Sequence, residues 1–243
     1  MADNTEYFGV SRWQAWAPGV SDPAGWRAWL KDEGEADPEA LPDVSQLPPL
    51  LRRRLDRCGR MALHTAWPCA AGLTSVQSVF ASRHGALSRT LELLDALARQ
   101  ETVSPASFSL SVHNSTAGLF SIARGDRGAA TAMAAGADTL AMSLLEGANL
   151  VAEGAENVLV CYADDTLPPP YDSFVSGVNA HHPFAVSLLL TSAEDAPLRC
   201  RLTRADTASD EAPEAALMRF LLDEDDATLG AEQAWRLERA HVA

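Results

Sequence analysis

The stretch 114–160 constrains the fold of this chain more than any other part of its sequence. Its pattern predicts a short helix that ends near Gly125, a buried strand over about 129–134 and a tight turn at 135–137. Glycine is a common helix stop because it adopts the left-handed conformation without a side-chain clash. A strand, a turn and a helix in succession are typical of α/β folds.

The helix predicted for about 137–153 has apolar or small residues on nearly every face, Leu140 and Leu144 among them. A helix that is apolar all round is expected to be buried on all sides. Its N-terminus, with free N–H groups and the positive end of the helix dipole, should lie at the tip of the preceding strand. Many enzymes carry a nucleophile in such a turn, but residues 135–137 are only alanine and glycine.

The charge and length of the chain exclude several classes of function. The chain has 243 residues, a net charge of −14 and a pI near 4.7. It therefore lacks the basic face with which proteins bind nucleic acids or anionic membrane surfaces. The N-terminal residues do not resemble a signal peptide, and no apolar run approaches the ~20 residues of a membrane span. We therefore expect a cytoplasmic protein without a membrane span.

The cysteines and histidines do not predict a metal site or a cofactor. The four cysteines have no CxxC spacing and are expected to be free and buried, as in a cytosolic protein. His181 and His182 follow the acidic pair Asp164-Asp165, but neighbouring residues rarely face one ion, and no HxxxH or HExxH spacing occurs.

The rest of the chain predicts a regular alternation of elements. A continuous helix is expected over 49–70 and another over 87–98, whereas 104–113 should be extended and the C-terminal residues helical, with helices at 215–222 and 232–240. Strands are expected at these ranges: 6–17, 76–81, 158–162, 184–191 and 198–203.

Four residues of the central stretch form a spaced series: Asn114, Gly118, Gly128 and Gly154. This series resembles the ketosynthase family of the thiolase fold. The family has an Asn, a Gly four residues later, a Gly ten further on, its nucleophilic Cys nine after that and a Gly seventeen past the Cys. This chain has Ala137 where the family has the Cys.

The resemblance implies a fold and a domain division. Residues 1–204 would be the N-terminal half of a ketosynthase, an α/β fold of thiolase type with layered α-β-α architecture and a mostly parallel mixed sheet. Residues 205–243 would be an acidic, helical C-terminal extension without a counterpart in the family. A half fold is expected to leave one face of its buried sheet uncovered, so that another molecule must cover it.

The resemblance also implies a function without catalysis. Alanine has no nucleophilic atom, so Ala137 cannot form a thioester, and no catalytic residue is expected. The tryptophan-rich N-terminus and the helix that begins LxRRRLxR are most similar to the shortened chain-length factors of aryl polyene pathways. Such a subunit forms a heterodimer with a complete beta-ketoacyl synthase and limits the length of its acyl tunnel sterically, and acyl carrier protein is engaged through the partner.

Two sets of site residues follow from the resemblance. The candidates for the acyl tunnel and the subunit interface are Thr90, Leu91, Leu94, Phe108, His113, Asn114 and Met133. The candidates for carrier-protein docking are Arg53, Arg57 and Arg60. The residues allow simpler interpretations as well. Leu91 and Leu94 suit a plain core, His113 a helix cap or an interface, and the arginines a solvated face paired with local acids.

Three other functions stay open at this point. An independent hydrolase or acyltransferase would need a G-x-S-x-G elbow, and the only candidate turn is 135–137. A decarboxylating or priming subunit would need polar groups in the same turn. A scaffolding subunit without a tunnel role is compatible with every residue pattern described above.

Overall fold

A single mixed sheet forms the centre of the fold. The computed structural model describes residues 6–20, 22–31, 39–169, 171, 182–194, 196–222, 226–230 and 232–240. The strands within these ranges are β1 (Glu6–Trp16), β2 (Gln77–Ala81), β3 (Ala130–Met133), β4 (Val158–Asp164), β5 (Phe184–Thr191), β6 (Leu198–Arg204), β7 (Ala227–Leu229) and β8 (Trp235–Arg239). Their order in the sheet is β3-β2-β4-β5-β1-β6-β8-β7.

Helices lie on both faces of this sheet. They are α1 (Pro23–Trp29), α2 (Pro49–Arg52), α3 (Arg57–Cys69), α4 (Leu87–Ala98), α5 (Pro105–Ser109), α6 (Ser115–Arg124), α7 (Thr139–Ala152) and α8 (Pro213–Leu221). A 3-10 turn over Gly136–Asp138 leads into α7. The layered α/β architecture expected from the sequence is therefore confirmed.

The sheet is mixed, but it is not mostly parallel as predicted. Strand β2 runs parallel to β3 and to β4. The other pairings among the described strands are antiparallel. Parallel neighbours require a crossover connection, and the connections β2–β3 and β3–β4 contain the helices α4–α6 and α7.

Side chains of the central strands alternate between two hydrophobic cores. Val160 and Tyr162 of β4 belong to the core that contains α1, α7 and α8. Leu159 and Cys161 belong to the core that contains α3 and α6. Every residue of β4 and of β5 is buried. This alternation is expected of a strand that is covered on both faces.

The C-terminal residues complete this sheet and do not form a separate helical extension. The predicted helix at 215–222 is present as α8, but the predicted helix at 232–240 is wrong. Residues 235–239 form β8, in which Trp235 and Leu237 are buried and Arg236 is exposed, and β8 pairs with β6. Burial that alternates from one residue to the next is typical of a β-strand and not of a helix. Both faces of the described sheet are therefore covered by the chain itself, one by α1, α7 and α8 and the other by α3 and α6, and the prediction of an uncovered face is wrong.

Two other local predictions are wrong because side chains cap helices that begin at positions the prediction did not include. The helix predicted over 49–70 breaks after α2, because the Asp56 carboxylate caps a new helix by accepting from the Gly59 amide at 2.8 Å. The segment 104–113 is not extended, because the Ser104 hydroxyl caps α5, whose first turn contains a proline. Helix α4 and the end of α6 at Gly125, which has φ of 64°, agree with prediction.

The predicted strand at 129–134 and the predicted helix after it are less buried than expected. Strand β3 is the edge of the sheet, and Ala130 and Thr131 are exposed. Helix α7 buries one side, which includes Leu140 and Leu144, while its other side with Leu145 is only half-buried. The part of the fold near β3 thus exposes apolar surface that its sequence pattern suggested would be internal.

Candidate functional site

The turn at 136–138 holds the position where a nucleophile was expected. Ala137 lies in this turn between β3 and α7, and its methyl group supports no covalent chemistry. The Thr139 hydroxyl accepts from the Ala135 amide at 2.9 Å and donates to the Gly136 carbonyl at 2.7 Å. The turn therefore has the strand–turn–helix geometry of a nucleophile site without a nucleophile.

The chain's own C-terminal segment closes on this turn. The buried Asp138 carboxylate accepts from the amides of Glu232 and Gln233, each at 2.9 Å. Gly230 has φ of +94°, and a Cβ there would lie 3.1 Å from Asp138 Oδ1, so the backbone approaches closely. The sequence pattern did not indicate this contact, because the donors are backbone groups 94 and 95 residues away.

The cysteine thiols do not replace the missing nucleophile. Desolvation raises the pKa of Cys69, Cys161 and Cys200 to about 12, and it raises the pKa of Cys58 as well. A thiol must ionise to act as a nucleophile, so these groups stay inert at neutral pH. All four cysteines are free, as predicted.

The two acidic residues at the end of β4, Asp164 and Asp165, form contacts within the protein. Asp164 is 2% exposed and accepts from the Ser82 hydroxyl at 2.7 Å and from the Arg83 amide at 2.9 Å. His182 is exposed, and His181 lies outside the described residues. Across the described ranges, no three His, Cys, Asp or Glu side chains form a group that could hold a metal ion.

The predicted tunnel residues lie on and beside α4 and α5. All twelve residues of α4 are described, and none of them is buried. Leu94 is 52% exposed and Phe108 on α5 is 62% exposed, while Thr90 and Leu91 are half-buried. The plain-core interpretation of Leu94 is therefore wrong, because a core residue is not half exposed.

The remaining tunnel candidates lie around the start of α6 and on β3. The ring of exposed His113 reaches Ser82, with Nε2 2.9 Å from the carbonyl oxygen. Asn114 precedes α6 without a side-chain cap, and Met133 on β3 is half-buried. His113 is therefore not a helix cap, and Asn114 occupies that position.

Sequence reasoning missed three exposed apolar residues: Leu97 on α4, Ile122 on α6 and Val112 in the connection between α5 and α6. The leucines of α4 recur at helical spacing, a pattern that is usually assigned to a core. Leu94 and Leu97 are three residues apart and lie on the same face of the helix, so the spacing alone gave no signal that this face is exposed.

The three candidate docking arginines do not form one free basic face. Arg53 is exposed. Arg57 pairs with Asp165 at 3.5 Å, and the two side chains are 16% and 20% exposed. Arg60 donates to the Arg52 carbonyl at 3.2 Å. Local pairing, the simpler interpretation from the sequence, therefore accounts for Arg57.

Comparisons with known proteins identify the family of this fold. The family described as beta-ketoacyl synthase, N-terminal domain, matches residues 26–236. No curated protein matches the chain. Among the described residues, no helix has the length and apolar character that a membrane crossing requires.

Solved structures extend this likeness. A ketosynthase (ApeO) in complex with its chain length factor (ApeC) from Xenorhabdus doucetiae matches with 28% identity and a TM-score of 0.81. The match covers 96% of this chain and 99% of that chain, so the two have nearly the same length. The ishigamide ketosynthase/chain length factor matches with 19% identity and a TM-score of 0.59, over 79% of this chain and 63% of that one. At that identity the second match shows the fold alone.

Proposed function

The chain belongs to the beta-ketoacyl synthase N-terminal domain family, and from this premise we propose that it is the noncatalytic chain-length factor of a type II condensing enzyme. It would pair with a complete ketosynthase and shape the end of the partner's acyl tunnel. The products would be polyketide or aryl polyene chains built from carrier-bound units. The proposal keeps the cytoplasmic location expected from the sequence.

One observation carries the proposal most directly. Helix α4 contains five leucines, and none of its residues is buried. An apolar helix on an otherwise well-packed protein marks a surface for a partner. The length agreement with a chain of the ApeO and ApeC complex supports a partner of the ketosynthase type.

The surface near α4 has a second feature that suits a partner. The edge strand β3 presents an open row of backbone N–H and C=O groups, and such edges pair readily with another strand. Exposed Ile122 lies on α6, which contacts β3, and exposed Phe108 lies on α5, which contacts α4. We name the set of β3, α4, α5 and α6 the edge surface, and we propose that the ketosynthase covers it.

The absence of catalysis in this subunit is part of the proposal. Ala137 has no nucleophilic atom, and the cysteine thiols of the chain have raised pKa values. Asp138, next to it, is committed to the C-terminal segment. An independent hydrolase or acyltransferase would need a nucleophile that this turn lacks.

Carrier-protein docking at Arg53, Arg57 and Arg60 is a secondary part of the proposal. Arg53 is exposed and free to meet an acidic partner. Arg57 would have to leave Asp165 to do the same. We therefore expect Arg53→Glu to weaken carrier binding by the complex more than Arg57→Glu does.

The test of the main proposal is co-expression with candidate ketosynthases, followed by size-exclusion chromatography with mass determination. We expect a one-to-one complex with the cognate ketosynthase. Leu94→Glu with Leu97→Glu should abolish that complex, because two charges would be buried without partners. Leu41→Glu is the matched control, since Leu41 is 60% exposed and lies outside the edge surface. A chain that binds no ketosynthase, or a complex that survives the double variant, would contradict the proposal.

A scaffolding role without influence on the tunnel predicts the same complex but a different product outcome. Substitution of Thr90 or Leu91 by a smaller residue should lengthen the products only if the subunit bounds the tunnel. Both side chains are half-buried on α4. Mass spectrometry of the products of the reconstituted complex separates the two roles.

A further inference from the structure

A cleft opens in the sheet beside β1, at the point where β6 begins. Strand β1 pairs with β5 on one side along 9–16, but on the other side it pairs with β6 only along 6–10. The connection from β5 to β6 passes over Gly9, where an added Cβ would lie 2.6 Å from the Ser192 carbonyl oxygen. Beyond Val10, the second side of β1 therefore has no strand beside it among the described residues.

The cleft is large enough for a ligand. Its volume is about 570 Å³, within the ~300–1,000 Å³ that is usual for ligand sites. Besides β1, its walls come from the end of α3, the start of β6 and the ends of α8 and β8. Trp13, Leu198 and Leu221 give it an apolar side, and all three pack in or against the core that contains α7.

The charged side chains of the cleft are positive. Arg12 and Arg239 line it, and none of the described lining residues is acidic, although the chain has 33 acidic and only 19 basic residues. Arg12 is exposed, with Nη1 2.6 Å from the Ala71 carbonyl oxygen. Arg239 donates to the Phe220 carbonyl at 2.9 Å, and its guanidinium lies over the Phe220 ring. Two positive charges held in place in this way attract a negatively charged ligand.

The open side of β1 adds recognition by backbone groups. A strand without a neighbour offers N–H and C=O groups that pair readily with an extended segment. The open part starts at a β-bulge between Val10 and Arg12. Beyond it, Arg12 and Gln14 are exposed, whereas Trp13 between them is half-buried against the core. Side chains of an added strand alternate in the same way, so that one of its faces meets Arg12 and the other meets Trp13.

From these observations we infer that the cleft binds an extended segment of another protein in which acidic and apolar side chains alternate. The segment continues the line of β6 along 11–14 of β1, with an acidic side chain on Arg12 and an apolar one on Trp13. The cleft is separate from the edge surface, because β2, β4 and β5 lie between β3 and β1, a distance of about 19 Å at ~4.8 Å per strand. The inference is therefore independent of the proposed function, and its partner is not the ketosynthase.

The experiment measures binding of a synthetic probe to the full chain by fluorescence anisotropy. The probe is a fluorescein-labelled peptide of alternating glutamate and valine, about six residues long like a typical strand. We expect saturable binding that weakens as salt is added, because salt screens the charges. A peptide of alternating lysine and valine should not bind. A glutamate peptide with proline in place of its central valine should bind at least about tenfold more weakly, because proline cannot donate to a β-ladder.

Variants of the cleft test the contribution of its charge. Arg12→Glu should weaken binding of the glutamate peptide by about tenfold, because a like charge replaces an opposite one. Gln14→Lys adds a positive charge at an exposed position of the same face and should strengthen binding by roughly threefold. Arg127→Glu is the matched control, since it makes the same charge change at an exposed position that does not line the cleft. It should leave the affinity unchanged.

Several outcomes would overturn the inference. They are a glutamate peptide that does not bind saturably, a lysine or proline peptide that binds as well, and equal affinities of the Arg12→Glu and Gln14→Lys variants. The titration is repeated with the complex of this chain and its ketosynthase, which should bind the probe with unchanged affinity. A complex that blocks the probe would assign the cleft to the ketosynthase and contradict the inference. A chain that binds the probe but no ketosynthase would support the inference and contradict the proposed function.

Discussion

The centre of the sheet and the edge surface differ sharply in how far their apolar residues are buried. Every residue of β4 and β5 is buried, with helices from both halves of the chain on the two faces. Helix α4 is as rich in leucine, and none of its residues is buried. The first region owes its stability to this chain alone, whereas the second exposes the kind of surface that a partner buries.

The C-terminal segment belongs with the central region. Helix α8 and strands β7 and β8 contribute buried residues such as Leu217, Leu229 and Leu237 to the core shared with α7. We therefore expect the chain to fold by itself and to need its partner only along the edge surface.

The same substitution in the two regions gives the largest contrast. Leu144→Ala removes a side chain that is 0% exposed and should destabilise the isolated chain by about 2–5 kcal/mol. Leu94→Ala should change stability by less than about 0.5 kcal/mol, because Leu94 is 52% exposed. Urea unfolding of both variants measures the difference. Equal losses would mean that α4 is part of the core.

The contact between Asp138 and the C-terminal segment provides the next test. Asp138→Ala leaves the amides of Glu232 and Gln233 without their acceptor and should cost roughly 1–3 kcal/mol. Trp235 fluorescence should then report exposure of the segment at lower urea than in the wild type. Asp210→Ala is the control, since Asp210 is exposed. An unchanged midpoint would show that the segment is held without this carboxylate.

Alanine substitutions at two glycines, one in each region, should change the stability of the isolated chain in opposite directions. No atom lies within 4 Å of a Cβ added at Gly118 on α6, so Gly118→Ala should stabilise the isolated chain by about 0.4–1 kcal/mol. If the ketosynthase packs against α6 there, the same change should weaken the complex. Gly147→Ala on α7 should destabilise the chain, because its Cβ would lie 2.8 Å from Leu190 Cδ1. Thermal melts and a binding titration measure both effects.

The smallest effect is a pH dependence that links α8 to the sheet. Tyr162 of β4 donates to Glu214 at 2.7 Å, and desolvation raises the pKa of Glu214 above its ordinary value of 4.5. The folded state then binds this proton more tightly than the unfolded state, so stability falls as the pH rises above 4.5 through the folded pKa. Glu214→Gln keeps an acceptor for Tyr162 and should flatten that part of the stability curve. Glu194→Gln, at an exposed position, should leave the slope as it is.

Local patterns predicted most of the elements that carry the fold. Asp22 caps α1 by accepting from the Gly25 amide at 2.7 Å, and a proline follows it at the first position of the helix. The apolar runs at 158–162 and 184–191 are buried strands, and α4 has the predicted bounds. These predictions succeeded because caps and periodicity depend on residues within one turn or one strand.

The candidate site was predictable in part. The family resemblance placed Leu94 and Phe108 in a tunnel or interface set, and both lie on the edge surface. The sequence allowed pairing of the arginines with acids, but it did not indicate that Arg57 pairs with Asp165, because the two residues are far apart in the chain.

The sequence by itself determined that position 137 has no nucleophile and that helices and strands alternate around it. Only the tertiary structure decided that residues 235–239 form a strand on β6 and that β3 and α4 are left exposed. The reason is physical: whether an apolar residue is core or interface depends on what packs against it. That packing is supplied by distant segments, such as the donors from Glu232 and Gln233 to Asp138, or by another protein.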